Sequence, residues 1–232
     1  IDLKYIHNRD GFLYYIASPD NATQKYLYKT KLNGKGKNEL LSPISLKGSH
    51  DYSFSSNGNY AEHTFSNHFT PNSKEFISIA NHKALTDKES ILKNIKKLEE
   101  KPTTEFFTIT TADNVEMDGW MVKPTDFDPK KKYPVVFYVY SEPAGATVSD
   151  AYSVGQNRLY KGDMAQDGYL YISLDNRGTP APKGRAWRKS IYRKIGVLNI
   201  NDQAMAAKEI LKWDFVDAER VAVWGWSGGG SA

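Results

Sequence analysis

RVAVWGWSGGG, residues 220–230, joins an apolar run directly to a serine set between glycines. An apolar run without alternation is typical of a parallel strand that is buried on both faces. Gly225, Ser227 and Gly229 fit the pattern G-x-S-x-G, in which a serine occupies a sharp turn between a strand and a helix. A side chain two residues to either side of that serine would clash in such a turn. The stretch therefore predicts an α/β sheet with a nucleophilic serine at one strand end.

Four more strands are predicted before this one. YPVVFYVY at residues 133–140 and YLYISLD at 169–175 are also continuous apolar runs. TEFFTIT at 104–110 and VEMDGWMVKP at 115–124 are amphipathic. The alternation of buried strands with longer segments predicts a doubly wound α/β sheet, whose chemistry lies at the carboxyl ends of its strands.

One connecting segment has the pattern of a crossover helix. Asp202 is predicted to cap its beginning. The residues expected to face inward are Ala204, Ala207 and Leu211.

The first third of the chain instead has the pattern of short strands and turns. Residues 25–32 alternate with period two, which predicts a strand. Its apolar face is expected to hold Tyr26, Tyr28 and Leu32, and its polar face Lys25, Lys29 and Lys31. Asn57-Gly58 predicts a tight hairpin, and EFISIAN at 75–81 predicts a further strand. Such strands suggest propeller blades or a sandwich, but these few cannot close a propeller.

Between these two regions the period becomes helical over residues 86–100, with Thr86 and Glu89 as a capping box. The expected apolar face holds Ile91, Leu92, Ile95 and Leu98. A Lys-Pro pair ends the helix. A domain boundary there separates a strand-rich domain with its linker helix (1–102) from an α/β domain (103–232).

Composition excludes several classes of protein. The 232 residues are 40% hydrophobic and 25% charged, which is ordinary for a globular fold. The net charge of +4 is small for this length, so no nucleic-acid partner is predicted. The sequence has no cysteine, so it forms no disulfide framework and no thiolate metal site.

The histidines do not complete a catalytic triad. In α/β-hydrolases the acid and the histidine follow the serine along the chain. All five histidines precede Ser227: His7, His50, His63, His68 and His82. His63 and His68 could be taken for a metal pair, but no carboxylate cluster lies near them in the sequence, and no metal site is predicted.

Several spaced motifs together resemble one family. They are WGWSGGGSA (224–232), YPVVFYVYSEPAG (133–145), YISLDNRGTPAPKGRAW (171–187), RKIGVLNINDQAMAAKEI (193–210), SPDNATQKYLYKTKLNG (18–34) and GSHDYSFSSNGNY (48–60). In this order they resemble the dipeptidyl peptidase IV branch of the prolyl oligopeptidase family. The resemblance implies a partial α/β-hydrolase domain preceded by the last strands of a β-propeller, as an internal segment of a longer enzyme.

That resemblance also implies an activity. A family member of this kind is a serine exopeptidase that releases dipeptides from peptides with a free N-terminus, with Pro or Ala at the second residue. Ser227 would be the nucleophile, and the Gly228 N–H and the Tyr140 hydroxyl would bind the oxyanion. No cofactor is implied. Alternatives are an acylaminoacyl peptidase, a tripeptidyl peptidase or an esterase on the same fold, or an inactive fragment without the aspartate and histidine.

The family likeness further implies a homodimer that is periplasmic, secreted or attached to a membrane facing outward. Three positions are notable. Glu142 lies where many relatives have glycine, and Gly228 replaces a tyrosine that commonly follows the nucleophile. These departures bear on substrate preference more than on the reaction class. Arg177 matches a family arginine that is expected to bridge loop backbone rather than contact substrate.

Overall fold

The computed structural model describes residues 1–86, 90–95, 104–152, 154–157 and 159–232. The chain divides into two compact units. The first comprises Ile1–Lys101 and Ser149–Tyr152, and the second comprises Pro102–Val148 and Ser153–Ala232.

The first unit contains two four-stranded antiparallel sheets, each with its strands in chain order. One holds β1 (Asp2–His7), β2 (Phe12–Ala17), β3 (Tyr26–Lys31) and β4 (Glu39–Leu40). The other holds β5 (Ser49–Phe54), β6 (Tyr60–Ser66), β7 (Ser73–Ser78) and β8 (Lys83–Ala84). A four-stranded meander is the repeating piece of a β-propeller, so the predicted propeller strands are present.

The hairpin between β5 and β6 forms as predicted. Gly58 has a φ of +72°, which glycine adopts without strain, and its N–H donates to the Ser55 carbonyl. A Cβ on Gly58 would also press against the rings of Tyr5 and His7. The turn therefore requires glycine for both backbone conformation and space.

The predicted facing of β3 was wrong. Leu27 is completely buried on the face that the sequence assigned to lysines. The opposite face is covered too, because Tyr28 stacks on Tyr15 of β2 with ring centroids 5.9 Å apart. A strand covered on both faces cannot be oriented from polar alternation alone.

A helical segment follows β8 and is called α1 (Ile91–Ile95). Ile91 is buried against Leu46 and Phe65, and Ile95 packs on the same cluster. Leu92 was predicted on this face, but it is more than a third exposed. Glu89 and Leu98 of the predicted helix lie outside the described residues.

The second unit is built on one five-stranded mixed sheet in the order β13-β11-β12-β10-β9. Its strands are β9 (Thr104–Thr110), β10 (Glu116–Val122), β11 (Tyr133–Val139), β12 (Leu170–Leu174) and β13 (Val216–Gly225). β11 runs parallel to β12 and to β13, whereas β10 is antiparallel to β12 and β9. All five predicted strands are present in an α/β arrangement.

Both faces of the central strands are covered. The second unit also contains α2 (Gly184–Lys189), α3 (Leu198–Ile210) and α4 (Gly228–Ser231). On one face Ala206 and Ile210 of α3 pack with buried residues of β11 and β12. Loop residues such as Met164 and Val148 pack on the other. β13 differs from the prediction: Val221 and Val223 are exposed, because β13 is an edge strand of the described sheet.

The predicted start of the crossover helix was also wrong. Asp202 lies inside α3, which begins four residues earlier, and its carboxylate is completely buried. Ala204 is exposed, while Ala207 and Leu211 pack on the core as expected. An aspartate that caps a helix and an aspartate in a buried ion pair look the same in a sequence, so the sequence alone does not distinguish the two roles.

Candidate active site

Ser227 occupies the turn between β13 and α4. Its φ of 54° and ψ of −116° lie where residues other than glycine are rarely found. Two short hydrogen bonds close the turn, from Gly229 N–H to the Trp226 carbonyl and from Gly230 N–H to the Ser227 carbonyl, each 2.9 Å. The strain of this conformation is therefore held by the surrounding backbone.

The two flanking glycines are required by space, as the sequence predicted. A Cβ on Gly225 would overlap the carbonyl of Gly229. A Cβ on Gly229 would overlap the carbonyl of Val139 at the end of β11. The turn is thus packed directly against the end of the neighbouring parallel strand.

Tyr140 follows that strand end. Val139 pairs with Gly225, so Tyr140 and Ser227 come just after the ends of two adjacent parallel strands. The Cα of Tyr140 lies 2.9 Å from the position that a Cβ on Gly229 would take. Its ring lies against Gly145. The structure therefore brings the backbone of Tyr140 to the serine turn.

The loop after Tyr140 is fixed by polar contacts. Ser141 is buried and has a φ of 59°, which turns the chain sharply. Asn199 of α3 donates from Nδ2 to the Ser141 hydroxyl over 3.1 Å. Glu142, the next residue, places its carboxyl in the space that a side chain on Gly228 would occupy.

Asp175 lies just past the end of β12 and is buried. Its carboxylate accepts from the N–H groups of Thr147 and Val148 at 2.8 and 3.1 Å. Burial nevertheless raises the pKa of Asp175 to about 6. Because its oxygens face backbone donors, this carboxyl holds the loop at 147–148.

Arg177 has a structural role, but with different partners from those predicted. Its guanidinium pairs with the buried Asp202, with Nη2 2.6 Å from Oδ1 and Nε 3.0 Å from Oδ2. Nη2 also lies 2.9 Å from Asp113. The hydrogen bonds to Asp202 raise the pKa of the Arg177 side chain. The Arg177 guanidinium therefore bridges the carboxylates of Asp202 and Asp113, whereas a bridge to loop backbone was predicted.

The sequence also missed a buried polar cluster in the first unit, which we call the histidine cluster. It consists of His50, Tyr52, His63, Glu75 and His82. His50 Nδ1 lies 2.9 Å from His63 Nε2, and His63 Nδ1 lies 2.8 Å from Glu75 Oε1. Tyr52 Oη lies 2.7 Å from His82 Nε2. The available signal was the spacing of His50 and Tyr52, which puts both on one face of β5, but the pairing of Tyr52 with His63 on β6 depends on the strand register.

Burial controls the charge of this cluster. It lowers the pKa of His50 to about 3 and that of His82 to about 4, and the neighbouring His63 adds to both shifts. Burial alone would raise the pKa of Glu75, but hydrogen bonds from His63 and from the Ile91 N–H lower it below its usual value. His50 and His82 are therefore neutral rings, and Glu75 is a carboxylate.

Comparison with known proteins identifies related chains. Residues 160–232 match the prolyl oligopeptidase family model. The probable dipeptidyl-aminopeptidase B of Pyrenophora tritici-repentis is 33% identical over 99% of this chain and 25% of its own length. That of Talaromyces marneffei is 30% identical over 95% of this chain and 24% of its own. The crystal structure of Porphyromonas gingivalis dipeptidyl peptidase 4 aligns with a TM-score of 0.79 at 32% identity, covering 99% of this chain and 32% of that one.

The chain thus spans about a quarter of the length of the curated relatives that it matches. The described helices are all too short or too polar to cross a bilayer.

Proposed function

We propose that this chain, which belongs to the prolyl oligopeptidase family, supplies the nucleophile of a serine exopeptidase. The enzyme would release dipeptides from peptide N-termini. The relatives are named dipeptidyl-aminopeptidase and dipeptidyl peptidase. The single observation that carries the proposal is the positive φ of Ser227 in a turn closed by two obligatory glycines. Strain of this kind is retained where function needs it.

In the proposed mechanism Ser227 Oγ attacks the carbonyl carbon after the second residue of the substrate. The hydroxyl proton passes to a histidine base, and the amine of the remaining peptide leaves after taking that proton. The acid and histidine of this fold follow the serine, so the five histidines before Ser227 are not proposed as the base. Water then releases the dipeptide from the serine ester.

The oxyanion of each tetrahedral intermediate would be held by two donors. The Gly228 N–H is at the start of α4, where the helix field favours negative charge. The Tyr140 hydroxyl is the second donor, since Tyr140 follows the strand adjacent to that of Ser227. Removing one such donor typically costs 10²–10³-fold in rate.

The preferred substrates would have a free N-terminus and Pro or Ala at the second position, and the enzyme would act as a homodimer outside the cytoplasm. The test uses the full-length protein. We expect a fluorophosphonate to label wild type and not Ser227→Ala, and Gly-Pro-p-nitroanilide to be cleaved much faster than acetyl-Ala-p-nitroanilide. Preference for the acetylated substrate would favour an acylaminoacyl peptidase instead. If the folded wild-type protein is not labelled, the proposal that Ser227 is the nucleophile is wrong.

A further inference from the structure

The histidine cluster contains three residues with metal-ligating atoms at close range. One such atom from each of His63, Glu75 and His82 lies within 4.8 Å of the other two. These side chains come from β6, from β7 and from the turn just before β8. His63 and Glu75 are buried. Two imidazoles and one carboxylate form a ligand set that binds Zn²⁺ with a fourth position left open.

The hydrogen bonds of the cluster require a proton or a cation between His63 and Glu75. His50 Nε2 lies 2.8 Å from the Leu46 carbonyl, which only accepts, so this nitrogen carries the proton of the neutral ring. His50 Nδ1 is then an acceptor, and His63 Nε2 donates to it. The remaining nitrogen of a neutral His63 would face the Glu75 carboxylate as a second bare acceptor, 2.8 Å away. A proton between these two atoms, or a metal ion in its place, resolves that repulsion.

His82 provides a separate indication. Its Nδ1 is buried and makes no hydrogen bond to any part of the chain that the structure describes. Buried polar atoms are almost always paired, so an unpaired ring nitrogen needs a partner. A metal ion would supply one.

We propose that His63, Glu75 and His82 form a Zn²⁺ site. Binding would put the ion between His63 Nδ1 and Glu75, in place of the proton there. A tetrahedral ion with bonds near 2.1 Å needs donor atoms roughly 3.4 Å apart, so binding would widen the 2.8 Å contact between His63 Nδ1 and Glu75 Oε1. The ion would tie β6, β7 and the turn before β8 together.

Two of the three residues line a cavity. A cavity of about 380 Å³ is lined by Glu75 and His82. Lys83 and Lys93 also line it.

The test measures metal content of the full-length protein after treatment with a chelator, reloading with ZnCl₂ and dialysis. We expect one Zn²⁺ per chain in wild type and in His7→Ala, a control that removes a histidine from the same unit outside the cluster. His82→Ala and Glu75→Gln should bind at least about 100-fold more weakly, since outer-sphere partners alone are worth 10–100-fold. Titration in buffers of different ionisation enthalpy should show release of about one proton per ion.

Co²⁺ provides a second measurement that does not depend on the variants folding. Wild type loaded with Co²⁺ should show the intense visible absorption of a tetrahedral site, and Zn²⁺ should displace it. Wild type that retains no stoichiometric Zn²⁺ would overturn the proposal, as would a folded His82→Ala variant that binds like wild type. Either result would mean that a proton, and not a metal ion, lies between His63 and Glu75.

Discussion

The carboxyl of Glu142 occupies the space that a side chain at Gly228 would need. A Cβ built on Gly228 overlaps Cγ, Cδ and Oε1 of Glu142. The family resemblance implies a small residue at the first position and a tyrosine at the second, so the larger side chain is at the opposite position in this chain. A carboxyl group therefore lies beside the proposed oxyanion donor.

This exchange predicts strong coupling between the two positions. Gly228→Tyr alone should lower kcat/KM by about 100-fold, because the ring displaces Glu142 and shifts the serine turn. Gly228→Tyr with Glu142→Gly should recover most of that loss. The measurement is the double-mutant cycle on Gly-Pro-p-nitroanilide.

Glu142→Gln is the matched control, because it keeps the volume of Glu142 and removes its charge. The double variant Gly228→Tyr with Glu142→Gln should have a kcat/KM as low as that of Gly228→Tyr alone. Equal recovery with Gln and with Gly would show that charge rather than space couples the two positions.

Ser227→Gly should stabilise the second unit while abolishing activity. Glycine adopts a φ of 54° without the strain that serine bears. We expect a gain of about 1 kcal/mol in the free energy of unfolding, and no gain for Ser227→Ala, which keeps the strain. All five tryptophans lie in the second unit, so urea unfolding followed by their fluorescence reports on it. Equal stability of the two variants would contradict a strained serine.

Tyr140→Phe tests the proposed hydroxyl donor. We expect kcat to fall about 10²–10³-fold with little change in KM, because the oxyanion forms only after attack. Tyr138→Phe is the control: Tyr138 lies on β11 two residues earlier and stacks on Trp224 with centroids 4.6 Å apart. Comparable losses in both variants would indicate a packing role for Tyr140.

The strands of the second unit, four of the eight in the first unit and the serine turn could be predicted from sequence because each has a local cause. Apolar runs specify buried strands, and the glycines around Ser227 specify the turn. The partners of the charged side chains could not be predicted in this way. Asp202 looked like a helix cap, and its true partner, Arg177, lies 25 residues away. The histidine cluster needed the register that places His63 opposite Tyr52, which depends on a hairpin and not on composition.

Arg177→Lys should destabilise the second unit although it preserves the charge. Lysine cannot reproduce the two-nitrogen contact with Asp202, whose carboxylate is completely buried. Leaving a buried carboxylate partly unpaired costs several kcal/mol, and we expect a loss of about 2 kcal/mol. Arg220→Lys is the matched control, since Arg220 pairs with Asp217 at an exposed position and should change little. Urea unfolding that shifts equally in both variants would argue against a special role for Arg177.

Asp175 should give the second unit a characteristic pH dependence. Its pKa is about 6 in the folded unit, against about 3.9 in an unfolded chain. The folded state therefore holds this proton more tightly. The stabilisation that results is complete below about pH 4 and is lost as the pH rises through about 6. Asp175→Asn does not titrate at this position, so it provides the reference.

The free energy of unfolding of wild type, measured relative to Asp175→Asn, should thus fall by up to roughly 3 kcal/mol between pH 4 and pH 8. Other carboxylates titrate in both proteins and cancel in the difference. Tryptophan fluorescence during urea unfolding at each pH provides the measurement. A difference that stays flat, or that rises with pH, would mean that the N–H donors of Thr147 and Val148 outweigh burial and keep Asp175 ionised.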